Sequence, residues 1–298
     1  FGEASTQYSA LGTADTNWQD LIYRTSISHD HNVTVAGAAG SLPYRVSVGY
    51  TDQQGIIKTS DFKRLTGSIN LNPSLLDDLL VFNLNAKGML AKSIYADGSA
   101  VGNATRMDPT QDPYSYTSAY HKAFFGNNMA KTLSNFGGYF QWTASGIDGD
   151  PSWPFNFNTV GKLYNPLAIL ALKDDQANSR EFIGSADVDY KVHGFEDLRL
   201  HATLGADVAK GTQDTNILPS SPLAGYYGSY GAESILKRNL SLSTYAQYYH
   251  DFNDAAKNHF DIMGGYEYQH FYRSQNNDYI GYYPSTNTTL DSKGKPLA

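Results

Sequence analysis

The residues of this chain whose chemistry is most suggestive form an aromatic run within one long connecting segment. Its members are Trp142, Trp153, Phe155, Phe157 and Tyr164. Aromatic rings on a loop can stack on sugars or grip an apolar patch of a partner protein. The same rings can instead form a small core that keeps the loop folded. We predict that these five residues contact a substrate or a partner, and the loop-core interpretation remains open beside that prediction.

Signals for metal binding are weaker. His29 and His31 share one face of a strand-like run, but no third ligand stands near them in sequence, and a zinc site needs more protein ligands than two. The acidic side chains that could offer oxygen ligands to Ca²⁺ are Asp148, Asp150, Asp174 and Asp175. They lack the twelve-residue loop pattern of a calcium site. We expect neither a metal site nor a cofactor.

Catalytic motifs are missing from the sequence. It contains no GxSxG, no HExxH, no P-loop and no cysteine. The glycine-rich stretch 225–231 has the wrong spacing for phosphate binding, so we interpret it as an outer loop. A formal net charge of −7 without a Lys/Arg cluster argues against a nucleic-acid partner. The sequence therefore predicts a protein that is not an enzyme.

The elements that position these residues are strands whose connections differ in length. Eight runs alternate apolar and polar residues: 25–36, 43–52, 61–72, 79–92, 179–190, 197–210, 236–250 and 258–273. The connections 37–42, 73–78, 191–196 and 251–257 are short, whereas 93–178 and 211–235 are long. Short turns on one side and long loops on the other are typical of a transmembrane β-barrel, whose long loops face outward.

The two faces of each run also favour a barrel. In 197–208, Leu200 and Leu204 alternate with Arg199 and Thr203. The polar faces carry more Asn, Asp, Glu and Lys than a dry core could satisfy, so they suit a wet or plugged lumen. Charged residues make up 17% of the chain, below the roughly 25% of soluble domains. We therefore predict an all-β antiparallel barrel segment of about eight strands.

Several phrases resemble the SusC/RagA family of TonB-linked outer-membrane transporters. Residues 15–25 (DTNWQDLIYRT) resemble the segment that joins plug to barrel, and 42–64 and 71–92 resemble early barrel hairpins. The loop phrases 106–110 (RMDPT) and 137–142 (GGYFQW) are similar to phrases of the same family. The resemblance is dense over 15–142 and looser up to about 273.

The resemblance implies a 22-stranded barrel closed around a plug, in the bacterial cell outer membrane, that imports glycans or peptides with energy delivered by TonB. A SusD-like surface lipoprotein would cap the barrel. This chain would be a fragment with a connector between plug and barrel at 1–24 and a partial barrel at 25–298. The plug and TonB box would lie outside it. A passive porin or a soluble glycan-binding surface β-protein is the alternative.

Two finer expectations follow. Residues 15–24 are expected to form a helical turn or two, with Asp15 or Thr16 as N-cap. Because a third of a barrel cannot close, the runs 25–36 and 258–273 are expected to be open edges that do not pair with each other.

Overall fold

A computed structural model describes residues 6–145, 156–159, 163–224, 228–252, 255 and 257–282. The strands are β1 (Ser28–Ala39), β2 (Leu42–Gln54), β3 (Asp61–Leu71), β4 (Ser74–Leu75), β5 (Leu80–Ile94), β6 (Thr143–Ser145), β7 (Asn156–Thr159), β8 (Lys173–Lys191), β9 (Leu198–Ile217), β10 (Ser229–Asp251) and β11 (His259–Tyr282). The helices are α1 (Thr6–Ala10), α2 (Trp18–Ile22), α3 (Ser99–Ala104), α4 (Ala119–Phe125), α5 (Met129–Asn135) and α6 (Pro166–Ala171), with a 3₁₀ turn at Gly126–Asn128. Within the described ranges, no helix has the length and apolarity needed to cross a membrane.

One antiparallel sheet dominates the structure, and its strands follow in the order β1-β2-β3-β5-β8-β9-β10-β11. All eight predicted runs overlap one of these strands. β4 pairs with β5 beside this path, and β6 pairs with β7 in a separate hairpin. In the described part of the chain, β1 and β11 have no ladder between them, which confirms the predicted open edges.

The connections alternate between two rims, because each strand is antiparallel to its neighbour and follows it in sequence. The connections 40–41, 72–79, 192–197 and 252–258 start and finish at strand ends of one rim, which we call the short-turn rim. The connections 55–60, 95–172 and 218–228 start and finish at strand ends of the other, which we call the long-loop rim. The two longest connections therefore share one rim, as predicted, whereas the connection 55–60 on that rim is no longer than 72–79 or 252–258 on the other.

Two sequence predictions are wrong in detail. The segment 211–235 is not a long loop, because β9 continues to Ile217 and β10 begins at Ser229. These strand ends keep their backbone ladder although they have no apolar alternation, so the hydrophobic pattern ends before the strands do. The N-cap of α2 is Asn17, whose side chain accepts from the backbone N–H of Asp20, and is neither Asp15 nor Thr16.

The ladder registers sort the side chains of the sheet into two faces, because paired residues share a face. The apolar face carries Val48, Phe182, Leu204 and Leu242. Large apolar side chains stay exposed there: Leu204 is 56% exposed. An extended exposed apolar surface marks a face that is covered by a partner or a membrane. The opposite face, which we call the polar face, carries the Asn, Asp and Thr residues of the same strands.

The apolar core of this structure lies at the long-loop rim and not under the sheet. It is formed by Trp18, Ile22, Ala100, Ala104, Met107, Tyr116, Phe125, Phe140, Ile169 and Leu170. These residues come from the segment 8–24 and from the described parts of 95–172. We call these two segments together the rim domain. Since the helices of the rim domain are short, tertiary packing and not helix propensity stabilises them.

Candidate functional site: the polar face and the rim domain

An asparagine ladder crosses the polar face toward the short-turn ends of β3 and β5. Asn70 on β3 donates from Nδ2 to Asn85 Oδ1 on β5, and Asn85 donates in turn to Asn83 Oδ1 at 3.0 Å. Asn85 Nδ2 also lies 3.4 Å from Ser185 Oγ on β8. The ladder connects three strands through side chains and presents further amide donors and acceptors to whatever faces it.

A second network links β8 and β9. The Thr203 hydroxyl donates to Asp187 Oδ1 at 2.7 Å. His201 places Nε2 3.0 Å from Thr203 Oγ1 and Nδ1 3.3 Å from Asp189 Oδ2. Arg199 Nε lies 3.3 Å from Asp189 Oδ1. These groups are half-buried and already partnered, so they form a hydrogen-bonding surface and not an activated nucleophile or base.

A polar trough of about 490 Å³ lies on the same face across β1 to β8, and it is lined by residues that include Arg45, Arg64 and Lys87. Arg64 donates from Nη2 to Thr51 Oγ1 at 3.3 Å. Its Nε is buried and has no hydrogen-bond partner in the structure, and the same is true of Asp207 Oδ1 on β9. The trough therefore presents the charged donors of Arg45, Arg64 and Lys87 to whatever faces it.

The five aromatic candidates are divided by the structure. Trp142 packs on the core of the rim domain, with its ring 5.3 Å from His121 and 5.4 Å from Phe140. Tyr164 packs against the same core, and its backbone N–H donates to Asn103 Oδ1 at 2.8 Å. Phe157 lies in β7. Trp153 and Phe155 fall outside the described residues, so contact of the five with substrate or partner stays a prediction.

His121 lies in the centre of this aromatic core. It is surrounded by Tyr116, Phe125, Phe140 and Trp142, with ring centroids 4.9 to 5.9 Å away. Its Nδ1 lies 2.6 Å from the hydroxyl of Ser118, the N-cap of α4. Burial lowers the pKa of His121 to about 4, and burial raises the pKa of the Tyr116 phenol. Both groups are neutral near pH 7 and act as structural residues of the rim domain.

The N-terminal segment is tied to the long connection by polar contacts that the sequence did not reveal. Thr16 donates from Oγ1 to the Gln111 carbonyl at 2.7 Å, and Gln111 donates from Nε2 to the Ala10 carbonyl at 2.9 Å. Arg24 donates to the carbonyl oxygens of Gly55 and Ser60. Residues 8–24 therefore lie at the long-loop rim. The only sequence signal for this docking is that 15–25 and 106–110 are both family-like phrases.

No group of three or more metal-ligating side chains is brought together among the residues that the structure describes. His29 and His31 lie with ring centroids 5.1 Å apart. Asp174 accepts from Gln176 Nε2, and Asp175 accepts from Gln213 Nε2. Asp148 and Asp150 lie outside the described residues.

Comparison with curated proteins finds TonB-dependent receptors. The chain is 45% identical over 290 residues to the TonB-dependent receptor SusC of Bacteroides thetaiotaomicron, covering 95% of this chain and 27% of that protein. It is 24% identical over 225 residues to the TonB-dependent receptor P26 of Formosa agariphila, covering 74% of this chain and 19% of the relative. The chain thus spans about a quarter of its relatives. No family model matches it.

Solved structures show the same fold. The RagAB peptide importer in its closed-closed state superposes with a TM-score of 0.58 at 15% identity, over 97% of this chain and 30% of the matched chain. The RagAB peptide transporter superposes with a TM-score of 0.57 over 100% of this chain and 30% of that one. The predicted fold class, an all-β antiparallel barrel segment, is confirmed, and the strands that the structure describes do not close the sheet.

The 45% identity to SusC extends over nearly the whole chain. The relatives are receptors, not enzymes, in agreement with the prediction made from the missing catalytic motifs. The chain belongs to the SusC/RagA family of TonB-dependent receptors, as a segment of the barrel.

Proposed function

We propose that this chain is part of a TonB-dependent importer in the bacterial outer membrane. The observation that carries the proposal is the division of one sheet into an exposed apolar face and a hydrogen-bonded polar face. Lipid covers the first face and a lumen or plug covers the second, which is the arrangement of plugged barrels. The long-loop rim then faces the cell exterior and the short-turn rim faces the periplasm.

The proposed partner at the long-loop rim is a SusD-like surface lipoprotein, and the proposed substrate is an oligosaccharide or a peptide. Matched structures are described as a peptide importer, which supports the peptide alternative by fold alone. The aromatic set Trp142, Trp153, Phe155, Phe157 and Tyr164 belongs to the long connection and is proposed to contact the partner or the substrate. TonB would act through a plug outside this chain.

We also keep the assignment of 1–24 as a connector between plug and barrel as a proposal. Arg24 and the Tyr23–Ile57 bridge hold the end of this segment at the long-loop rim. The chain therefore enters β1 from that rim. A connector in this position would have to reach the long-loop rim before β1 begins.

Uptake by cells that carry the intact parent receptor tests the proposal. The gene would be deleted and restored, and uptake of labelled oligosaccharide and peptide pools would be measured with and without TonB. An importer loses uptake when either the receptor gene or the gene for TonB is removed. Uptake that persists without TonB would identify a passive porin and overturn the proposal. Co-purification of a surface lipoprotein with the tagged receptor tests the partner separately.

A further inference from the structure

A row of positive side chains crosses the apolar face, close to the long-loop rim on β3 and β5 and deeper in the sheet on β8, β9 and β10. All of its members are exposed, and they occupy five strands that are neighbours in the sheet: Lys63 on β3, Lys92 on β5, Arg180 on β8, Lys210 on β9 and Arg238 on β10. The strand alternation that puts Leu204 and Phe182 on the apolar face puts these five cations on it too. We call this set the basic row.

Two pairs within the basic row are direct cross-strand partners of like charge. Lys63 pairs with Lys92, and Arg180 pairs with Lys210. Like charges at such positions destabilise a sheet. Lys63 has a carboxylate 3.3 Å away at Asp52, but Arg180 and Lys210 have no ion pair with any residue that the structure describes. A bound anion would remove the repulsion between them.

The basic row follows the expected membrane plane. Lys92 pairs with Asn178, two residues before Arg180, and Lys210 pairs with Leu236, two residues before Arg238. The row therefore shifts by about one residue for each strand. With a rise of about 3.3 Å per residue and strands about 4.8 Å apart, this shift corresponds to a strand tilt of about 35°. The row is level when the strands have the tilt of a barrel.

An apolar depression lies directly beside the Arg180–Lys210 pair. Gly67 and Gly88 are opposite each other in the ladder, and a Cβ at either position would meet no atom within 4 Å. The resulting groove has a volume of about 550 Å³, and Leu90 and Phe182 form parts of its wall. Arg180 and Lys210 lie at its long-loop end.

One carboxylate belongs to a residue that also lines this groove. Glu181 precedes Phe182, so strand alternation directs its side chain to the polar face, where it lines the polar trough as well. The groove thus combines an apolar floor with two cations at one end. This combination fits a molecule with an acyl chain and an anionic head.

We infer that this groove binds an anionic, phosphate-bearing acyl lipid of the surrounding membrane, with an acyl chain over Gly67 and Gly88 and its phosphate between Arg180 and Lys210. The guanidinium of Arg180 offers a planar pair of donors suited to phosphate oxygens, and Lys210 adds a point charge. Basic side chains at the edge of a membrane-facing surface attract anionic lipids in general. The inference uses the membrane-facing assignment of the proposed function and does not depend on what the receptor transports.

Native mass spectrometry of the purified full-length receptor tests the inference. Dioleoyl phosphatidic acid and dioleoyl phosphatidylcholine, which share their chains, would be added in equal amounts. We expect phosphatidic acid to be retained several-fold better than phosphatidylcholine. This preference should fall at least about threefold in Arg180→Gln/Lys210→Gln. Gly88→Val fills the groove without a change of charge and should weaken retention of both lipids.

The matched control is Lys87→Gln/Lys237→Gln, which removes the same charge from the opposite face of β5 and β10. Heat-modified gel mobility would confirm that each variant still forms a barrel. Equal loss in the control pair, or no loss in the Arg180/Lys210 pair, would overturn the inference. If millimolar inorganic phosphate displaced phosphatidic acid, the site would bind free phosphate, and the assignment of a lipid would be overturned. Because retention is measured without transport, selective retention in a receptor that fails to import would leave this inference standing and contradict only the proposed function.

Discussion

The indole Nε1 of Trp18 donates a hydrogen bond to the carbonyl oxygen of Asp108, 2.8 Å away and 90 residues later in the chain. Trp18 is only 2% exposed and belongs to the core of the rim domain. This contact joins the segment before β1 to the connection after β5. The rim domain is therefore assembled from two distant parts of the sequence, and each depends on the other for burial of its apolar residues.

Replacement of Trp18 by Ala should destabilise the rim domain while the barrel stays intact. Loss of a buried tryptophan costs about 3–5 kcal/mol, and here the Asp108 carbonyl also loses its donor. Hydrogen exchange in the intact receptor would show the effect as faster exchange in α3, with exchange in β9 unchanged. Leu11→Ala is the control, because Leu11 is 48% exposed. Equal exchange rates in α3 of both variants would contradict the proposed role of Trp18.

The sequence predicted the strands wherever one face is apolar and failed where the apolar pattern stops. β9 was recognised over 197–210 because Leu198, Leu200 and Leu204 alternate with polar residues. Its continuation to Ile217 is polar on both faces, as is the beginning of β10, and only the ladder between them reveals the strands. Backbone hydrogen bonds leave no trace in side-chain hydrophobicity, so those strand ends were interpreted as a loop.

The rim domain could not be predicted in the same way, since its contacts join residues far apart in sequence. Phe136 and Phe140 are fully buried, yet no sequence pattern marks either as a core residue, although Phe140 lies in the family-like phrase 137–142. The aromatic run did point to this segment, and Trp142 and Tyr164 lie against its core. The polar face was predicted from alternation. The asparagine ladder and the unpartnered Nε of Arg64 depend on the register between strands, which alternation alone does not give.

A charge placed on the apolar face should cost more than one on the polar face of the same strand. In the intact barrel, Leu204→Arg is expected to destabilise the membrane-folded state by about 2–4 kcal/mol, the cost of a cation on the lipid face near the bilayer midplane. Thr203→Arg should cost less, because Asp187 and Asp189 lie close enough on that face to accept the new cation. Folding titrations into lipid vesicles measure both. Equal sensitivity would refute the assignment of the faces.

Single-cysteine labelling tests the orientation of the two rims in a parent receptor from which any cysteine outside this chain has been replaced, since this chain itself contains no cysteine. Lys58 is exposed at the long-loop rim and His193 is exposed at the short-turn rim. On whole cells that carry the parent receptor, a membrane-impermeant maleimide should label Lys58→Cys and not His193→Cys. Both should react after the outer membrane is opened. The reverse pattern on intact cells would invert the proposed topology.

Acidification should loosen the rim domain through His121. Burial lowers the pKa of His121 from 6.5 to about 4, so the unfolded rim domain binds this proton more readily than the folded one. The contribution of His121 to stability is therefore fully present above about pH 6.5 and is lost as the pH falls toward 4. Hydrogen exchange in α4, measured between pH 7 and pH 5 and corrected for intrinsic rates, should report this loss. His121 is the only histidine between residues 95 and 172.

The matched variant for this prediction is His121→Phe. A phenyl ring suits the surrounding rings of Tyr116 and Phe140, whose centroids lie 4.9 and 5.4 Å from the imidazole. The variant loses the contact with the Ser118 hydroxyl at every pH, so its exchange should be faster throughout. Its corrected exchange should nevertheless stay constant from pH 7 to pH 5, because no group in the aromatic core then takes up a proton. The same pH dependence in both proteins would assign the loosening to other groups and contradict the role of His121.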